Sequence, residues 1–78
     1  MTEVEIRAAV HTVIAEIFEL EPEEVRDETR LEELAIDSIT WVELIVTLER
    51  RFDARLTVTH ELERIGELVD LALQHAGG

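Results

Sequence analysis

Leu34-Ala35-Ile36-Asp37-Ser38-Ile39-Thr40-Trp41-Val42-Glu43-Leu44-Ile45-Val46-Thr47-Leu48-Glu49-Arg50-Arg51-Phe52 carries two apolar stripes at helical spacing in this 78-residue chain. At 100° per residue, Trp41, Leu44, Ile45, Leu48 and Phe52 share one face, the core stripe of a packed helix. Ile39, Val42 and Val46 form a second stripe roughly 130° away, and Glu49 extends that line. One helix cannot bury both stripes against a single layer. Either a second element covers the extra stripe, or it stays exposed as a binding surface bordered by Asp37, Glu43 and Glu49. The charged border favours the interface. Asp37-Ser38 before the apolar run reads as the helix start, with a side-chain oxygen poised to accept from the first free amides.

The flanking segments complete an all-helical reading. A first helix is predicted over 3–19: Thr2 and Glu5 have capping-box spacing, and Ile6, Val10, Val13, Ile14, Ile17 and Phe18 make one stripe. Pro22 lacks a donor and disfavours helical angles at Glu21, so the helix stops before it. Residues 22–37 read as a long, ordered connection pinned by Val25, Leu31, Leu34 and Ile36. Alternating Leu56 and Val58 have no pairing strand, so 53–58 reads as loop. Thr59-His60-Glu61-Leu62 is predicted as a one-turn third helix capped by Thr59. The last helix is predicted over 65–75, with Ile65, Leu68, Val69, Ala72 and Leu73 inward and Gly77 as its stop. Gly66 near its start costs up to ~1 kcal/mol relative to Ala if internal. The expectation is a four-helix bundle with a short third helix, one domain over 1–78, and a loose tail at 77–78.

Composition narrows the function. Nineteen acids against seven bases, all arginine, give a formal charge of −12. Such a charge repels nucleic acid and anionic lipid and favours partners with basic docking surfaces. The hydrophobic content of 46% in regular stripes argues for a folded chain rather than a disordered one. No run approaches the ~20 apolar residues that span a bilayer, and the acidic start is unlike a secretory leader, so a soluble cytoplasmic protein is expected. Zero cysteines remove disulfides and a thiol nucleophile. His11, His60 and His75 fall in three elements without metal-ligand spacing and read as solvated surface histidines. The acid clusters lack a calcium loop's glycine and a glycosidase's pocket. Ser38 has no nearby histidine, no lysine and no Gly-x-Ser-x-Gly elbow, which argues against a hydrolase.

The run from Leu34 to Leu44, followed by Leu48-Glu49-Arg50-Arg51-Phe52-Asp53, resembles the acyl carrier protein family, in its discrete form. The likeness extends through the Pro22 loop and the closing Ile65-Gly66-Glu67-Leu68-Val69-Asp70. The resemblance implies that Ser38, preceded by Asp37, receives 4′-phosphopantetheine from coenzyme A through a phosphodiester, supplying the thiol this chain lacks. A phosphate there suits the positive end of a helix. It further implies a non-catalytic carrier whose second helix docks on partner enzymes: a phosphopantetheinyl transferase, an acyltransferase or acyl or aminoacyl ligase, and a ketosynthase. Ile39, Val42 and Val46 would be the apolar contacts, Glu43 and Glu49 the acidic ones, in a chain monomeric when alone. Trp41, Leu44, Ile45 and Leu48 would line the space that holds the acyl chain. Ala35 and Ile39 stand where the family commonly has Gly and Leu, and both exchanges read as conservative. Trp41 replaces a small polar residue, which points to short, polar or aromatic cargo and a polyketide or related specialised pathway. Fatty-acid synthesis and an aminoacyl carrier are the alternatives within the class. Outside it stands an acidic helical adaptor whose Ser38 is never modified.

Overall fold

The computed structural model describes residues 1–58 and 61–76. Three α-helices are present among them, α1 (Glu3–Ile17), α2 (Ser38–Phe52) and α3 (Ile65–Ala76), with 3-10 turns at Pro22–Glu24 and Leu31–Leu34 and no strands. The capping box forms as the spacing requires: the Glu5 amide donates to Thr2 Oγ1 at 3.2 Å, and the Thr2 amide to Glu5 Oε1 at 2.8 Å. Ile6, Val10, Val13 and Ile14 are buried, and Ile17 and Phe18 pack on the core's edge.

α1 ends two residues earlier than the proline alone dictates. Glu19 takes a left-handed conformation with φ 53°, and the Leu20 amide turns back to the Ala15 carbonyl at 2.8 Å. That bond closes the last turn before Pro22 acts. α2 ends the same way, with Asp53 at φ 50° and the Ala54 amide on the Glu49 carbonyl at 3.1 Å. Arg50 and Arg51 complement the negative end of that helix.

The long connection is ordered by backbone pairing rather than by its apolar residues alone. Arg30 and Arg64 form an antiparallel bridge. The Leu31 amide donates to the Glu63 carbonyl at 2.8 Å, Ile65 to Thr29 at 3.0 Å, and Gly66 to Asp27 at 2.8 Å. Two orphan amides at the start of α3 are thereby satisfied by the opposite segment. A Cβ on Gly66 would stand 3.2 Å from the Asp27 carbonyl oxygen and 3.3 Å from its Cβ. Close approach, not flexibility, explains this glycine.

The core joins all three helices. Ile6, Ile14, Leu44, Leu48, Ile65 and Leu68 are its largest fully buried side chains, with Val25, Leu31 and Leu56 inserted from the connections. The predicted third helix begins at Thr59 and His60, which lie outside the described residues. Glu61 and Leu62, which would complete it, have no helical backbone. The Glu63 carbonyl accepts from the Leu31 amide and the Ile65 amide donates to the Thr29 carbonyl, so the chain after Leu62 pairs with 27–31 instead of continuing a helical turn. The tail at 77–78 and the proposed stop at Gly77 also lie outside the described residues.

His11 is not the solvated residue its sequence context suggests. Its Nε2 lies 2.7 Å from Asp27 Oδ1, and Arg7 Nε donates to Asp27 Oδ2 at 2.9 Å. Burial raises the Asp27 carboxyl's pKa, but the hydrogen bonds to His11 and Arg7 outweigh it and hold the group below its ordinary value. This carboxylate ties α1 to the connection, and its own backbone carbonyl ties the connection to α3. No local sequence rule joins residues 16 and 20 positions apart, so the knot is a product of tertiary structure.

Candidate functional site

The start of α2 is built by Asp37. Its extended backbone (φ −91°, ψ 176°) turns the chain into the helix, its carbonyl accepts from the Trp41 amide at 2.9 Å, and its Oδ1 accepts from the Thr40 amide at 2.8 Å. The backbone Thr40 amide, chiefly, holds the Asp37 carboxyl below its ordinary pKa. Asp37 is therefore the cap, and Ser38 is the first helical residue, exposed. Among the described residues none hydrogen-bonds the Ser38 hydroxyl. The Thr40 amide of the first turn is thus taken by a carboxylate, as the helix-start reading expects.

Ala35 qualifies another expectation. It closes the Leu31–Leu34 turn at φ 50°, ψ 48°. A left-handed residue with a Cβ costs about 1–2 kcal/mol, so alanine is conservative here in size and not in backbone. The turn aims Ile36 and Asp37 back toward α2.

An open groove of about 860 Å³ runs beside Ser38, its apolar walls formed by Ile36, Trp41, Val42, Val58 and Leu62. Of the four residues expected to line a cargo space, only Trp41 reaches it. Leu44 and Leu48 are fully buried among α1 and α3, and Ile45 packs at the edge of the core. Leu31, Ile36, Val42, Val58 and Leu62 supply further apolar wall, and Arg30, Glu32, Glu61 and Glu63 make the rest of the lining charged. By sequence, Ile36 reads as a pin of the connection, Val58 as loop and Leu62 as part of the third helix, and none of these three is expected at the site.

The second stripe of α2 is uncovered. Ile39 is 81% exposed, Val42 58% and Val46 37%, with Glu43 exposed alongside. Burial on two sides is ruled out for this helix among the described residues. Glu49 departs from the expected border: its Oε2 accepts from the Leu56 amide at 2.9 Å, fastening the loop after α2. Arg50, exposed one residue on, stands at that end of the face instead.

A helix that presents an unengaged serine at its first position, beside a groove and an uncovered apolar stripe, is the layout of a protein that carries something for others. Residues 8–72 match the family described as the phosphopantetheine attachment site. The chain is 34% identical over 67 residues to an acyl carrier protein of Chlorobium luteolum, covering 85% of each. It is 40% identical over 55 residues to a D-alanyl carrier protein of Streptococcus sanguinis and 38% identical over 55 residues to that of Streptococcus gordonii, with 70% of each chain covered. The chain belongs to the phosphopantetheine-bearing carrier proteins, of the acyl carrier protein family. Membership implies a covalently attached 4′-phosphopantetheine and dealings with biosynthetic enzymes.

Proposed function

We propose that Ser38 bears the phosphopantetheine arm and that the chain holds acyl groups on it as thioesters for enzymes that dock on the exposed face of α2. The exposed, unbonded Ser38 hydroxyl at the first turn of α2, beside the groove, carries this reading. In the loading step the Ser38 oxygen bonds to the phosphorus of coenzyme A that bears the pantetheine. The bond from that phosphorus to 3′,5′-ADP breaks, and the hydroxyl proton leaves with the transferase's base. The arm supplies a thiol. Asp37 fixes the first turn, and with it the direction in which Ser38 faces. Among the described residues none hydrogen-bonds Ser38 to activate it, and the chemistry is assigned to the partners.

Ile39, Val42 and Val46 form the apolar contact of the docking face, and Glu43 adds an acidic one that steers encounter with basic surfaces. A contact of one helical face keeps release fast, as serial delivery requires. Trp41 at the groove favours short, polar or aromatic cargo and so a polyketide or related specialised pathway in the cytoplasm. An aminoacyl cargo is the second reading, favoured by the two streptococcal relatives that are D-alanyl carriers.

Intact mass after incubation with coenzyme A and a broad-specificity phosphopantetheinyl transferase tests the proposal. One arm is expected on the parent protein and none on Ser38→Ala. A parent left unmodified would point to an adaptor that uses the α2 face alone. The mass of the group on the arm in the native host separates acyl from aminoacyl cargo.

A further inference from the structure

We propose that the groove beside Ser38 is the resting site of the cargo and that the Trp41 indole is its floor, closing the way into the core. The chain then shelters short aliphatic or aromatic acyl groups at its surface and leaves long chains in water. This rests on Ser38 as the attachment point. Ser38 and Trp41 are three residues apart on α2, hence on neighbouring turns of one side, and both line the groove. The indole is half-buried: it packs on the core cluster and also forms part of the groove wall. Leu44 follows one turn on and Leu48 two, both at 0% exposure and neither lining the groove. Among the described residues Leu31 is the one buried core residue that also lines the groove, and an acyl group running from Ser38 along α2 therefore meets the ring before Leu44 or Leu48. Ile36, Val42, Val58 and Leu62 give it apolar sides, and a broad flat ring offers more contact area than any aliphatic residue at that position. Close-packed interiors resist insertion beyond it, because an added chain must displace side chains already in contact.

Trp41 is the sole tryptophan, so its emission reports this one ring. The apo protein is loaded by a broad-specificity transferase from acetyl-, butyryl-, benzoyl-, octanoyl- and dodecanoyl-coenzyme A. Intact mass, with Ser38→Ala as control, establishes attachment before anything else is read. Absence of an arm, or an arm retained by Ser38→Ala, removes the attachment reading and this one with it. With the arm on Ser38, butyryl and benzoyl are expected to shift Trp41 emission relative to the holo form and to raise the melting temperature on the order of 4 °C. Octanoyl and dodecanoyl add nothing further. In Trp41→Ala the melting temperature climbs with chain length, and Trp41→Leu serves as a second variant should the alanine protein not fold. Emission unchanged by butyryl and benzoyl, or a parent melting temperature that keeps rising to dodecanoyl, overturns the proposal.

Discussion

The two faces of α2 carry side chains of the same chemistry and meet opposite surroundings. Leu44 and Leu48 are at 0% exposure, whereas Ile39 and Val42, nearer the helix start, are at 81% and 58%. Hydrophobicity marks both faces as able to be buried. Which one is buried depends on what lies across from it: α1 packs on the first, whose leucines join the core shared with α3, and no described element reaches the second. The exposed face is apolar at a cost in solubility, which the chain's charge of −12 offsets.

Substitutions can break this contrast. Leu48→Ala is expected to cost about 2–5 kcal/mol, since the transfer loss is joined by a cavity the close-packed neighbours cannot fill. Ile39→Ala should stay within about 0.5 kcal/mol in the same urea titration. An equal loss for both would mean that Ile39 is covered in solution. Ile39→Asp is the functional counterpart: unaltered unfolding, but a kcat/KM for arm transfer about tenfold lower, equivalent to roughly 1.4 kcal/mol of lost docking.

The Asp27 knot sharpens the comparison from the buried side. Asp27→Asn retains the shape but weakens bonds to Arg7 and His11, and is expected to cost about 1 kcal/mol at neutral pH. Because the folded carboxyl lies below its ordinary value of 3.8, its contribution is present above that value and is lost as pH falls through the depressed one. The parent and Asp27→Asn should converge in stability on acidification below about pH 4. A gap that persists to pH 2 would place the effect in packing and not in charge.

The smallest expected change is a gain. Ala35→Gly relieves a left-handed alanine, so a stabilisation of about 0.5–1 kcal/mol is expected, reduced from the full strain by the greater entropy of an unfolded glycine. A loss in the denaturant midpoint would show that the Ala35 methyl packs usefully against the groove.

Much of this molecule was legible in its residues because the rules concerned are local. The Thr2–Glu5 box, the α1 stripe, the Asp37 cap and the two stripes of α2 all depend on side chains within four positions of one another. The candidate serine was singled out by the resemblance of 34–53 to the acyl carrier protein family, since a serine at a helix start is by itself an ordinary feature. The bond from the Leu56 amide to the Glu49 carboxylate was not legible, because it joins residues seven apart that no periodicity relates. Ala35 was misread because size, which sequence shows, was taken for conformation, which the turn imposes.

By itself the sequence determined three long helices, an acidic chain without thiols, and a hydroxyl at the foot of the helix that bears two apolar stripes, since spacing and composition suffice for these. Only the tertiary structure decided that 27–31 pairs with 63–66 and that His11 and Arg7 grip Asp27. It alone decided that Trp41 belongs to a groove while Leu44 and Leu48 belong to the core. Those outcomes turn on which segments meet across the bundle, and contacts between residues far apart in the chain leave no period in the sequence to read.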